Sequence, residues 1–124
     1  MAAGTYNGAM VNDMLQVRLL LGAPANLGPG KIRLLQAVAE TGSISGAARR
    51  MKISYRRAWL MIDTLNKGFP SVLVEANAGG DRGGGARLTE RGHAVLEQYL
   101  RLQAQAERAL AGEADCLLRL AGQT

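Results

Sequence analysis

The stretch RRMKISYRR, residues 49–57, sets five basic residues in nine positions and then runs straight into the apolar AWLMI, residues 58–62. Few folds accept such a sequence. A solvated surface helix would intersperse acids among the cations, and a core helix would exclude the cations. Both halves are accommodated if a break between two helices falls inside the stretch, one helix ending in cations and the next beginning with them. Ser43 or Ser45 can cap a short first helix whose apolar side is Ile44, Ala47, Ala48 and Met51. Lys52, Ile53 and Ser54 form a tight link. Ser54 then caps a second helix with a core face of Ala58, Ile62, Leu65 and Phe69, spaced 4, 3 and 4, and Pro70 closes it.

The flanking sequence supplies the rest of the architecture. MLQVRLLL carries Leu15, Val17, Leu19 and Leu21 at alternate positions and predicts a half-buried strand. PGKIRLLQAVAETG predicts a helix with Ile32, Leu35, Val38 and Ala39 on one face and Gly42 ending it. Downstream, SVLVEA and ARLT read as short strands around NAGGDRGGGA, which holds five glycines in ten residues. Thr89 is positioned to cap a long final helix. This order is that of a winged helix-turn-helix: mainly α with a small β-sheet, followed by a long C-terminal dimerisation helix. The expected division is a mobile N-terminus over 1–12, the winged helix-turn-helix over 13–90, and the dimerisation helix and tail over 91–124.

A helix-turn-helix that reads DNA lays its second helix in the major groove and reaches base edges with the first residues of that helix. Ser54, Tyr55, Arg56 and Arg57 occupy that entrance. Arginine can grip a guanine edge bidentately or clamp a phosphate. An Arg pair at a helix N-terminus opposes the helix dipole, a cost that suits binding rather than stability. Ser43 and Ser45 are expected against phosphate. Lys52, with Arg49 and Arg50, has two readings: cations at a helix C-terminus, or contacts to flanking phosphate. Trp59 also has two, packing at the core edge or facing DNA beside Tyr55. Arg82 at the wing tip and Arg87 at its base are expected to hold the wing on the sugar–phosphate backbone. The charge distribution agrees: of 15 Lys/Arg and 10 Asp/Glu, residues 31–91 hold eleven and five, a net +6, leaving −1 for the rest. The excess points to a polyanionic partner for the middle of the chain.

Other chemistries lack the residues they require. One cysteine, Cys116, and one histidine, His93, cannot supply the four ligands of a structural zinc site, so no metal is expected. No nucleophile–base–orienter constellation appears, so no catalytic residues and no enzyme are expected. GGDRGGGAR lacks the Lys-Ser/Thr of a phosphate-cradling loop and leads into a strand, not a helix. His93 is expected at the surface and Cys116 in apolar packing. The chain shows neither a long apolar run nor a secretory leader, and a lone cysteine suits a reducing compartment; the expected location is the cytoplasm, with no membrane partner. In the last helix, Val95, Tyr99, Leu102, Ala106, Ala109 and Leu110 trace a seam suited to pairing with a second copy.

The segment AETGSISGAARRMKISYRRAW resembles the helix-turn-helix of LysR-type regulators, and more closely the N-terminal DNA-binding domain of the molybdate-responsive ModE regulators. MKISYRRAW is similar to the SISYKSAW run of those proteins, and GGDRGGGARLT, residues 79–89, to their wing signature GGxxGGGAxLT. The likeness covers about residues 14–112. It implies a homodimer that binds double-stranded DNA at an inverted-repeat operator, in a setting of molybdate or metal homeostasis. Full-length members continue into molybdate-binding domains, so the expectation here is a single-domain form without them. No cofactor is expected: Arg101, Arg108 and Arg119 are too scattered to form a molybdate or tungstate site. The competing reading is a winged-helix adaptor that docks an acidic protein, or an accessory regulator with no operator of its own.

Overall fold

Three side-chain caps organise the chain, two of them at the residues expected and the third at one of two candidate serines. In the computed structural model, which describes residues 15–77 and 85–123, helix α1 spans Pro29–Thr41, α2 Ile44–Met51 and α3 Tyr55–Lys67. Strands β1 (Val74–Ala76) and β2 (Ala86–Leu88) follow, and α4 runs Glu90–Leu120. Ser43, Ser54 and Thr89 each accept a hydrogen bond from the backbone N–H three residues on, at 2.8, 3.0 and 3.0 Å. Each thereby satisfies a donor that the first turn would otherwise leave orphaned. Of the two serines that could cap α2, Ser43 does so, and Ser45 is exposed in the first turn.

Helix α1 is the hub, in contact with α2, α3, α4 and β2. Its buried arc is wider than a one-sided periodicity implies: Leu34 and Ala37 join Ile32, Leu35 and Val38 inside, while Ala39 is exposed. A helix surrounded on several sides buries more than one stripe. Gly42 ends it in the left-handed conformation, φ 77°. In α3, Ala58, Ile62 and Leu65 are buried as the spacing requires; Phe69 lies past the helix end and is half-buried.

The wing strands pair antiparallel, Val74 opposite Leu88, Glu75 opposite Arg87 and Ala76 opposite Ala86. Asn66 fixes this hairpin to α3. Its Oδ1 accepts from Leu73 N–H and Val74 N–H at 2.8 and 3.1 Å, and its Nδ2 donates to Val74 O at 3.0 Å. One side-chain amide thus does for β1 what a neighbouring strand would do. Gly92 permits the matching approach of α4: a Cβ there would lie 2.2 Å from the Leu73 carbonyl oxygen.

The expected N-terminal strand is a correction. Leu15, Val17 and Leu19 do alternate inward, but the segment forms only an isolated bridge, Leu19 with Leu27, and Leu20 and Leu21 are exposed. Side chains of α4 replace the missing partner strand. Gln103 accepts from Val17 N–H at 3.2 Å and donates to Leu15 O at 2.6 Å, and the Tyr99 hydroxyl donates to Val17 O. The mobile N-terminus expected over 1–12 lies outside the described residues.

Candidate nucleic-acid interface

The turn between α2 and α3 is where the geometry of the site is set. Lys52 caps α2 with φ 60° and ψ 42°, and its N–H reaches back to Ala48 O and Arg49 O. It is the one non-glycine residue at positive φ among the described residues. A left-handed conformation costs a side-chain-bearing residue about 1 kcal/mol or more. Ile53 N–H then bonds Ala48 O at 3.0 Å, and the chain re-enters helix at Tyr55. With the buried trio of α3 held against α1 and α2, its opposite surface is forced outward.

Tyr55, Arg56, Arg57 and Trp59 are all exposed. Trp59 retains 46% of its surface and Tyr55 56%, so both are outside the buried core. Among the described residues, no carboxylate pairs with Arg56 or Arg57. Their guanidinium groups are exposed, with no ion-pair partner among the described residues. The capping hydroxyls of Ser43 and Ser54 accept the cap hydrogen bond, which leaves each O–H free to donate outward.

The remaining basic positions divide. Arg50 is ion-paired with Glu40, tying the end of α2 to the end of α1. Lys52 is exposed and makes no ion pair among the described residues. Arg87 pairs across the wing with Glu75 at 3.0 Å. Both groups are largely solvated, so this bond is worth little and a phosphate can displace it. Arg82 lies outside the described residues.

The seam expected on α4 is altered at one position. Val95, Leu102 and Ala106 are half-buried, and Ala109 and Leu110 are exposed. Tyr99, by contrast, is buried in its own protomer. Burial pushes its phenol pKa up from the ordinary 10.0, partly offset by the positive charges of Arg18 and Arg33. Its hydroxyl donates to Val17 O, so Tyr99 ties α4 to the N-terminal segment of its own protomer. Past Gln103 the helix leaves the globule, with Leu110, Leu117 and Leu120 uncovered. Cys116 is exposed rather than packed, its sulfur 3.4 Å from Arg119 Nη2. His93 is exposed.

Two residues that pattern reading passed over matter here. Asn66 carries no periodic or motif signal. Lys31 sits in the first turn of α1 beside the flank of α3, where it lines an open groove with Ser54, Arg57 and Thr64. No helix among the described residues is long and apolar enough to cross a membrane.

A capped helix pair that exposes basic donors, with a hairpin at its side, defines a winged helix-turn-helix module of the DNA-binding kind. The chain belongs to the bacterial regulatory helix-turn-helix proteins of the lysR family, which it matches over residues 30–93. Over 89 residues it is 46% identical to the molybdenum-pterin-binding protein MopA of Rhodobacter capsulatus, a match covering 72% of this chain and 33% of that one. It is 35% identical over 100 residues to the transcriptional regulator ModE of Haemophilus influenzae, covering 81% and 39%. The chain thus spans between a third and two fifths of the length of these relatives. Among solved structures, CbnR, a LysR family transcriptional regulator, superposes with a TM-score of 0.52 at 30% identity, over 68% of this chain and 27% of that one.

Proposed function

We propose that this chain binds double-stranded DNA as a homodimeric transcription regulator, setting one α3 of each protomer into successive major grooves of an inverted-repeat operator. The observation that carries the reading is the outward placement of Arg56 and Arg57, without a carboxylate partner among the described residues, at the entrance of a helix whose inner face is locked. Arg56 is assigned to a base edge, Tyr55 and Trp59 to bases and sugars beside it, and Ser43, Ser45, Ser54, Lys52, Arg82 and Arg87 to the backbone. The reading is of a binding protein in the cytoplasm, without catalysis and without a cofactor of its own. The relatives named for molybdenum support a role in molybdenum homeostasis.

Dimerisation is supported by two apolar features that adjoin. Leu19, Leu21, Leu27, Phe69, Val95 and Leu102 line an open groove along the base of α4, and the same helix then extends with Leu110 and Leu117 uncovered. A single protomer leaves both in water, which a second copy would remedy. A two-fold dimer places its reading helices one turn of DNA, or a multiple, apart.

Selection of bound fragments from random duplex DNA tests the reading, with a palindromic site as the expected product. Arg56→Ala then lowers affinity for that site by roughly 1–3 kcal/mol and relaxes preference at one base pair. If about five cations per protomer meet phosphate, log K for the dimer falls against log salt with a slope near −9. Absence of any enriched sequence together with a flat salt response overturns the reading. Leu110→Glu with Leu117→Glu is expected to give a folded monomer in sedimentation velocity.

A further inference from the structure

The outer surface of α3 is not one face but three, and they differ in chemistry. Arg56, Leu60, Asp63 and Lys67 recur at spacings of 4, 3 and 4 and form the crest opposite the core. Tyr55, Trp59 and Asn66 lie on the flank nearest the wing, as the hydrogen bonds of Asn66 to β1 establish. Arg57, Met61 and Thr64 lie on the other flank, facing the start of α1. There the two helices approach closely enough that a Cβ on Gly30 would be 4.0 Å from Met61 Cε. The space between them is an open groove whose polar lining is Lys31, Ser54, Arg56, Arg57 and Thr64; Arg56 enters it from the crest and Arg57 from the flank that faces α1.

Three cations and two hydroxyls line this groove, and no carboxylate does. The nearby acid, Asp63, belongs to the crest and pairs with Lys67 at 2.9 Å. Lys31 gives one N–H to Asn26 O at 3.1 Å, which steadies the ammonium and leaves two donors free. A helix lying in a major groove has a sugar–phosphate strand on each side of it. On the wing side those phosphates are served by residues already assigned. We propose that the groove between α1 and α3 receives the phosphodiester backbone of the opposite strand, held by Lys31 and Arg57. Arg56 and Arg57, neighbours in sequence, then have separate tasks: the first reads a base and the second grips the backbone. This inference rests on the DNA-binding reading above, and it adds Lys31 as a contact and removes Arg57 from base recognition.

The test compares Lys31→Gln, Arg57→Gln, Arg56→Gln and Lys31→Arg in the full chain, by fluorescence anisotropy on the selected operator and on a scrambled duplex over a range of KCl. Lys31→Gln and Arg57→Gln are expected to weaken both duplexes by the same factor, about 3- to 30-fold. Each is expected to flatten the salt slope by about 1 per protomer, while the operator-to-scrambled ratio stays constant. Lys31→Arg restores affinity and slope. Arg56→Gln lowers the ratio itself. Thermal melting of each variant separates lost contacts from lost fold. If Lys31→Gln melts normally and changes neither affinity nor slope, or if Arg57→Gln alters the ratio, the groove assignment fails while the DNA-binding reading stands. If the unaltered chain binds neither duplex, both fall together.

Discussion

Replacing Asn66 by alanine is the sharpest test of how the wing is held. The side chain makes three hydrogen bonds to β1, at 2.8, 3.1 and 3.0 Å, in a half-buried setting. The ladder explains why they matter. Thr89 N–H bonds Leu73 O and Asn77 N–H bonds Gly85 O, so the polar groups of Val74, one residue along from Leu73, point away from β2 and toward α3. Without the amide, water must reach those groups or they go unpaired. At about 0.5–1.5 kcal/mol for each bond, and more if any donor stays dry, the loss is about 2–4 kcal/mol. Urea denaturation followed by circular dichroism reads it directly. The same variant, below its unfolding midpoint, is expected to bind DNA with a smaller salt slope, because the wing is no longer fixed relative to α3. A loss under about 0.5 kcal/mol would mean that water substitutes for the amide and that the hairpin is held by its apolar residues alone.

Two glycines of α4 make opposite forecasts. Gly92→Ala drives a methyl into the Leu73 carbonyl and costs about 2 kcal/mol or more, whereas Gly112→Ala, with nothing within 4 Å, raises stability by up to about 1 kcal/mol; equal melting shifts would refute the close contact. Lys52→Gly relieves the left-handed turn and raises stability by up to about 1 kcal/mol, yet lowers DNA affinity if the ammonium meets phosphate; a lowered melting point counts against the turn geometry. For Tyr99 the folded-state pKa is raised, so its contribution is complete below the ordinary 10.0 and is lost as pH rises through the folded value. Tyr99→Phe therefore loses the hydroxyl's bond to Val17 at neutral pH, and the gap between variant and parent narrows on denaturation above pH 10. A gap that widens there contradicts the assignment.

What could be read in advance followed from the range of the interaction. Caps act within three residues, so Ser43, Ser54 and Thr89 announced their helices, and the buried trio of α3 followed from its spacing. The outward face of α3 was legible for the same reason. Residues 15–21 were misread because alternation in sequence specifies which side chains turn inward, not what pairs with the backbone. That partner came from Gln103 and Tyr99, more than eighty positions away. The same distance hid the inward turn of Tyr99, which heptad spacing alone placed on the seam. Asn66 and Lys31 were invisible for another reason: each acts across a junction between elements, where no periodicity runs. Lys52 occupies a position where glycine would have signalled the turn, so the left-handed residue went unread.

The stretch of α4 beyond Gln103 has a mechanical consequence. Residues 104–120 form a rod about 25 Å long that is steered only from its root, where Gly92, Leu96 and Leu100 are clamped. Whatever grips the far end inherits its azimuth from that root. Deleting one residue midway would swing Leu117 by about 100° and retract it by about 1.5 Å. Removing seven would nearly return it to phase while bringing it about 10 Å closer. The length of this shaft, counted in whole turns, is therefore as much a part of the molecule's address as any side chain on α3.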